Sequence, residues 1–153
     1  FAEYARMEAD TKLMLIGIGE LEQQMRRKVE ELGITDKVMF LGARTDMPDL
    51  YQAMDLFLLP SLFEGFGIVY AEAQCAGLPC LASKEAVPPV AKITDLLEFV
   101  SLQESARQWA EECQRLLADR KKRQDYSTVV RDKGFDIRDV ASELQRFYLK
   151  HAE

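Results

Sequence analysis

A chain of 153 residues with 48% hydrophobic and 30% charged side chains holds enough apolar material for one sizeable core and is too short for two ordinary domains. Its formal net charge of −6 argues against a surface that grips phosphate backbones or anionic lipid through bulk electrostatics, and so against nucleic acid as a partner. With one histidine, His151, and three cysteines without CxxC spacing, no metal site is expected; Cys75, Cys80 and Cys113 read as buried reduced thiols, and chemistry is left to carboxylates, backbone amides or a partner domain.

The opening segment, FAEYARMEADTK, is charged and amphipathic rather than a signal peptide. No apolar run reaches the ~18 residues of a membrane span, and a cytoplasmic protein is expected. Phe1, Tyr4 and Ala5 form the apolar face of a helix without its beginning or cap, so more chain is expected upstream. Short apolar runs closed by Gly, Pro or Ser follow: LMLIG (13–17), VMFLG (38–42), DLFLLP (55–60), PCLAS (79–83) and, more weakly, EFVSL (98–102). Continuous hydrophobicity predicts strands covered on both faces, as in parallel sheets.

Helices are expected between them. In ELEQQMRRKVEELG, Leu21, Met25, Val29 and Leu32 fall on one stripe and Gly33 is a stop signal. Gly17-Ile18-Gly19 has Glu22 where a third glycine would stand, so it reads as a tight strand-to-helix turn more than as a phosphate cradle. Ser105 and Gln108 have capping-box spacing ahead of Trp109, Cys113, Leu116 and Leu117. KKR at 121–123 reads as a solvated helix face. In FDIRDVASELQRFYLK, residues Ile137, Val140, Ala141, Leu144, Phe147 and Tyr148 predict a final amphipathic helix. The class is α/β: a Rossmann-like, doubly wound parallel sheet ending in α-helices, with ligands expected at the carboxyl ends of the strands.

EGFGIVYAE (64–72) follows such an end. Gly65 and Gly67 remove Cβ atoms beside a helix expected to start near Phe66, and a helix N-terminus with free N–H groups suits an anion such as a pyrophosphate. Glu64 either complements the helix dipole or accepts hydrogen bonds from ligand hydroxyls. Glu72 has apolar helical neighbours in Ile68, Cys75 and Ala76, so it reads as a desolvated carboxylate that needs a partner, either a basic side chain or a ligand diol. It would lie about 9 Å along the helix at ~1.5 Å per residue, too far from Glu64 for a close pair of catalytic carboxylates.

PSLFEGFGIVYAEAQCAGLPCLAS resembles the donor-site segment of family four retaining glycosyltransferases with the GT-B fold. LIGIGELE, DKVMFLGARTDMPDLYQAMDLFLLPS and TDLLEFV with its Trp-bearing helix match the surrounding order, and together they resemble the C-terminal donor domain of bacterial polysaccharide-assembly transferases over most of residues 1–150. The resemblance implies that Glu64, as catalytic residue, contacts donor-sugar hydroxyls, that the amides of Gly65, Phe66 and Gly67 face sugar and diphosphate, and that Glu72 holds the ribose diol. It places Gly42, Ala43 and Arg44 beside the base, although Arg44 equally suits a solvated loop, and Gly17 at the edge of the site. The donor is expected to be a uracil nucleotide sugar, with no cofactor or metal. The acceptor, a glycan or lipid-linked, would meet an N-terminal domain absent here, as is the first strand of the donor domain with its diphosphate-neutralising Arg/Lys pair. Any peripheral membrane association would belong to the longer protein. KEAVPPVAK (84–92) stands where many relatives are Gly-rich. Two alternatives stay open: a sugar-nucleotide epimerase or hydrolase of the same architecture, and an inactive docking module.

Overall fold

A computed structural model describes residues 1–118 and 123–152. Each apolar run becomes a strand close to its expected bounds: β1 Leu13–Ile16, β2 Val38–Gly42, β3 Phe57–Leu59, β4 Cys80–Ser83 and β5 Leu97–Val100. Helices intervene: α1 Ala2–Met7, α2 Glu22–Glu31, α3 Met47–Ala53, α4 Ile68–Cys75, α5 Ala106–Ala118, α6 Ser127–Val130 and α7 Ile137–Lys150. All pairing is parallel, Leu13 opposite Val38, Phe57 opposite Cys80 and Cys80 opposite Leu97. This alternation is what continuous apolar strands demand, because parallel neighbours can be joined only by a crossover.

The strands form two sheets, β1–β2 and β3–β4–β5. Between them lies an open cleft of about 1580 Å³ whose walls include every residue of β1, from Leu13 to Ile16, and Phe57, Leu58 and Leu59 of β3. The effect on burial is direct. Central β4 is buried at all four positions, whereas β1 and β3, which border the cleft, are only half-buried throughout. The core therefore sits around β4 and α4, with Tyr51, Tyr70, Ala73, Leu78, Cys80, Val87 and Leu97 packed together. Complete burial of side chains such as Leu81 and Leu97 contributes about 1.5–3 kcal/mol each.

The capping box is present: Gln108 N–H donates to Ser105 Oγ (3.2 Å) and Ser105 N–H to Gln108 Oε1 (2.9 Å). α7 is capped by Asp136, which accepts from the N–H groups of Arg138 and Asp139. Its apolar stripe finds no cover among the described residues: Ile137, Leu144, Phe147 and Tyr148 are all exposed. Cys80 and Cys113 are buried free thiols and Cys75 is a half-buried one; burial pushes Cys113 up to about 11.

Two expectations are corrected. On α2 only Val29 is buried; Leu21 precedes the helix, and Met25 and Leu32 face outward. A sheet of two strands is too narrow to cover the whole stripe, and part of the contact is made instead by the Arg26 guanidinium, 4.1 Å above the Phe40 ring. Residues 121 and 122 of KKR lie outside the described residues, but Arg123 is not a solvated helix position. Its guanidinium donates to the carbonyls of Gln52 and Met54, 2.8 Å each, where the end of α3 leaves acceptors unmatched.

Candidate functional site

The segment leading to the glutamates is fastened before it turns. Ser83 Oγ, at the end of β4, donates to Ser61 O (2.6 Å), and the Tyr70 hydroxyl donates to Leu59 O (2.7 Å). α4 starts at Ile68, two residues later than expected, because Gly67 takes a left-handed conformation (φ 75°, ψ 67°) that interrupts helical geometry. Among the described residues no side chain caps this N-terminus. The two glycines differ sharply. A Cβ on Gly65 would meet nothing within 4 Å, whereas one on Gly67 would lie 2.6 Å from Tyr70 Cδ2 and 3.2 Å from Glu64 Cγ. Between them, Phe66 turns its ring onto Phe135, stacked at 5.1 Å and 15°, and is held by the protein.

Glu64 is half-buried, and its Cγ and the Tyr70 ring flank the space that a Cβ on Gly67 would fill. Burial, with the Glu64 charge adding, pushes the Tyr70 hydroxyl up to about 12. Glu72 overturns its sequence reading. It is exposed, as is Ile68 one turn before it, while Tyr70, Ala71, Ala73 and Gln74 on the other side of α4 are buried. Apolar neighbours along one helix do not bury a residue unless another element covers that face. No salt bridge forms to Glu72 among the described residues; its partner is the Tyr51 hydroxyl, which donates to Oε2 at 2.9 Å. With α4 starting at Ile68, Glu72 lies about 6 Å along the axis rather than 9 Å, at ~1.5 Å per residue. Of the predicted site residues only Glu72 lines the cleft, together with Tyr51, Val69 and Pro60.

The remaining predicted residues cluster at the end of the β1–β2 sheet. Gly17 N–H donates to Gly42 O (2.8 Å), and both glycines have positive φ. Ala43 follows directly, and Arg44 forks onto Asp46 at 2.8 and 2.6 Å, a hydrogen-bonded pairing that raises the guanidinium and lowers the carboxyl pKa. The structure thus gathers Gly17, Gly42, Ala43 and Arg44 at the carboxyl ends of one sheet's strands, and Glu64 to Glu72 beyond the carboxyl end of β3 in the other.

Sequence reasoning missed two supports. Tyr51 is one. Gln74 is the other: wholly buried, its Nε2 donates to Tyr70 O (3.0 Å) and Ala91 O (2.8 Å), while Oε1 accepts from the N–H groups of Ile93 and Thr94 and from Thr94 Oγ1. One amide therefore fastens the end of KEAVPPVAK and the two residues after it to α4. A lone glutamine in AEAQCAG gave the same signal as Glu72, a polar group in an apolar run, and there the signal was sound. The AGLP turn has its own reason: at Gly77 (φ 70°) a Cβ would lie 2.1 Å from the carbonyl oxygen of Gln124.

The fold is a parallel α/β unit with a glycine-opened helix beyond the carboxyl end of a strand, the class to which the donor half of GT-B glycosyltransferases belongs. Residues 1–133 match the family model for glycosyl transferases group 1, and the chain belongs to that family. EpsF of Bacillus subtilis (strain 168) is 31% identical over 138 residues, covering 90% of this chain and 36% of that protein. The Escherichia coli UDP-Gal:alpha-D-GlcNAc-diphosphoundecaprenol alpha-1,3-galactosyltransferase is 36% identical over 75 residues, 48% of this chain and 19% of that one. The chain thus spans little more than a third, at most, of these relatives. In structure it superposes on Anabaena HepE, solved in complex with UDP-glucose, with a TM-score of 0.80 at 22% identity, covering 97% of this chain and 43% of that one. Among the described residues no helix is long and apolar enough to cross a membrane.

Proposed function

We propose that this chain is the C-terminal, donor-binding part of a retaining glycosyltransferase that moves a sugar from a uracil nucleotide donor to a polysaccharide or lipid-linked acceptor. The observation that carries the reading is the entrance to α4: an N-terminus without a side-chain cap, opened by Gly67 in a conformation and at a closeness only glycine tolerates, with Glu64 on one side and Glu72 one turn in. Backbone amides of 65–67 supply donors for a diphosphate and two acceptor-only carboxylates supply partners for hydroxyl groups, which together match a nucleotide sugar. Glu64 orients the sugar, Glu72 takes the ribose diol, and Gly17, Gly42, Ala43 and Arg44 border the base. The chemistry breaks the bond from the anomeric carbon to the diphosphate and forms one to an acceptor hydroxyl, through an oxocarbenium-like state stabilised electrostatically and without a metal. That HepE was solved with UDP-glucose supports the donor class.

The cleft between β1 and β3 supports a larger whole. Two half-buried apolar strands face it, each the edge strand of its sheet among the described residues, and α1 leads into β1 as the crossover helix of a strand–helix–strand unit would. A parallel strand from upstream of α1 fills it, and its carboxyl end, reaching the same edge as those of β1 and β3, adds the cationic groups the diphosphate needs.

The test is product analysis of the natural protein with a UDP-sugar, with and without acceptor. Acceptor-dependent transfer with retained anomeric configuration is expected, and Glu64→Gln lowers turnover more than affinity for UDP, which has no sugar to touch. An inverted product, or sugar released or epimerised without acceptor, would sink this reading.

A further inference from the structure

The hydrogen bond between Tyr51 and Glu72 joins elements 21 residues apart, and the tyrosine is not where a surface carboxylate usually finds a donor: it is 2% exposed, rooted in the core. Its ring sits edge-on to Phe57 (5.9 Å, 72°), and Phe57 in turn sits edge-on to Tyr70 (5.5 Å, 83°). Tyr70 is wholly buried, tied by its hydroxyl to Leu59 O, and shares with Glu64 Cγ the space that a Cβ on Gly67 would occupy. One aromatic column therefore backs both carboxylates of the candidate site, Tyr51 at the Glu72 end and Tyr70 at the Glu64 end.

We infer that Tyr51 is a positioning residue for ligand recognition: its hydroxyl fixes Glu72 through Oε2 and leaves Oε1 presented, on the exposed face of α4, to a vicinal diol. This rests on the nucleotide-sugar reading and adds to it a residue that touches no ligand. Burial first, and the Glu72 hydrogen bond next, hold the Tyr51 pKa above its ordinary value, so the phenol keeps its proton and serves only as a donor to the carboxylate. A glutamate free in solvent must surrender rotamer freedom when it binds; one already held by a core-anchored donor surrenders less. Among the described residues Tyr51 is the one hydrogen-bond donor to the Glu72 side chain, and the second carboxylate oxygen remains an acceptor suited to O–H groups rather than to an anion.

Two measurements on the natural protein test this. In protein labelled at tyrosine Cζ, Glu72→Ala shifts the Tyr51 carbon resonance in the absence of ligand, whereas Glu64→Ala leaves it in place; a Tyr51 signal indifferent to Glu72→Ala overturns the positioning role whatever the ligand proves to be. In titration calorimetry with UDP and 2′-deoxy-UDP, Tyr51→Phe weakens UDP roughly three- to tenfold, the scale of one hydrogen bond, while 2′-deoxy-UDP changes little, and Tyr51→Phe added to Glu72→Ala costs nothing further. Equal weakening of both ligands marks Tyr51 as merely structural and overturns the inference. A wild-type protein that binds both ligands equally overturns the diol assignment and one that binds neither overturns the nucleotide reading, while a Tyr51 resonance still responsive to Glu72→Ala leaves the bond standing in either case.

Discussion

Alanine at position 67 would place a methyl group where the structure has no room for it. Gly67 sits at φ 75°, where an L-residue pays ~1–2 kcal/mol in backbone strain alone. Its added carbon would lie 2.6 and 2.9 Å from two carbons of the Tyr70 ring and 3.2 Å from Glu64 Cγ. Tyr70 cannot swing aside, because it is wholly buried, edge-on to Phe57 and bonded through its hydroxyl to Leu59 O. Overpacking of that kind costs ~1–3 kcal/mol, so Gly67→Ala should lose about 2–5 kcal/mol in total. Gly65, two residues earlier, is the internal control. It is exposed, has no positive φ and would meet nothing within 4 Å, so Gly65→Ala should stay within about 0.5 kcal/mol. Urea denaturation of wild type and both variants, with a check that the m-value is unchanged, reads the difference. A Gly67→Ala loss below about 1 kcal/mol, or equal losses at the two sites, would refute the close packing argued for the entrance of α4.

Gly77→Ala should be more severe still, since its methyl group would meet the backbone oxygen of Gln124 at 2.1 Å rather than a side chain; soluble, wild-type-like protein would contradict that packing. Acid should act late. Asp139 (hydrogen bond from Arg131), Asp46 (from Arg44), Glu85 (from Ser101) and Asp125 (from the Ser127 N–H) all have folded pKa values below their ordinary ones, so their contribution is complete above the ordinary carboxylate range and is lost as pH falls through the depressed values. Melting temperatures should therefore hold from neutrality down to about pH 4.5 and fall below it, and a drop centred near pH 6 would show that some other group governs stability. On the proposed reading, in which an upstream strand supplies the cationic partners of the diphosphate, the 153-residue chain by itself should bind UDP near millimolar, each such contact being worth ~1.5–3 kcal/mol at ~1.4 kcal/mol per tenfold; low-micromolar calorimetric affinity would contradict that part of the proposal.

What the residues declared in advance were the features set by local chemistry. Runs such as VMFLG and PCLAS read as parallel strands and Ser105 with Gln108 as a cap, whereas the helix start near Phe66 was misplaced by two residues because the left-handed turn at Gly67 is not written in its neighbours. What they concealed were features set by the neighbours of an element. Glu72 looked buried because Ile68, Cys75 and Ala76 are apolar, yet nothing among the described residues covers that face of α4, and its partner arrives from α3, across a fold that brings distant segments together. The α2 stripe misled for the same reason: the pattern shows which face is apolar, and only the width of the sheet beneath shows how much of it is covered. Gln74 sits between these cases, its need for partners legible and their identity not.

The central claim is that Glu72, exposed and fixed from one side, is a ligand carboxylate for a nucleotide. Calorimetry of UDP binding to the natural protein and to its Glu72→Ala variant addresses it most directly. The loss of charge-assisted hydrogen bonds to the ribose should weaken binding by roughly 1–3 kcal/mol while far-UV circular dichroism stays unchanged. If the variant binds UDP as tightly as the wild type, or if the wild type binds no nucleotide at all, the paired-glutamate account of this site is wrong.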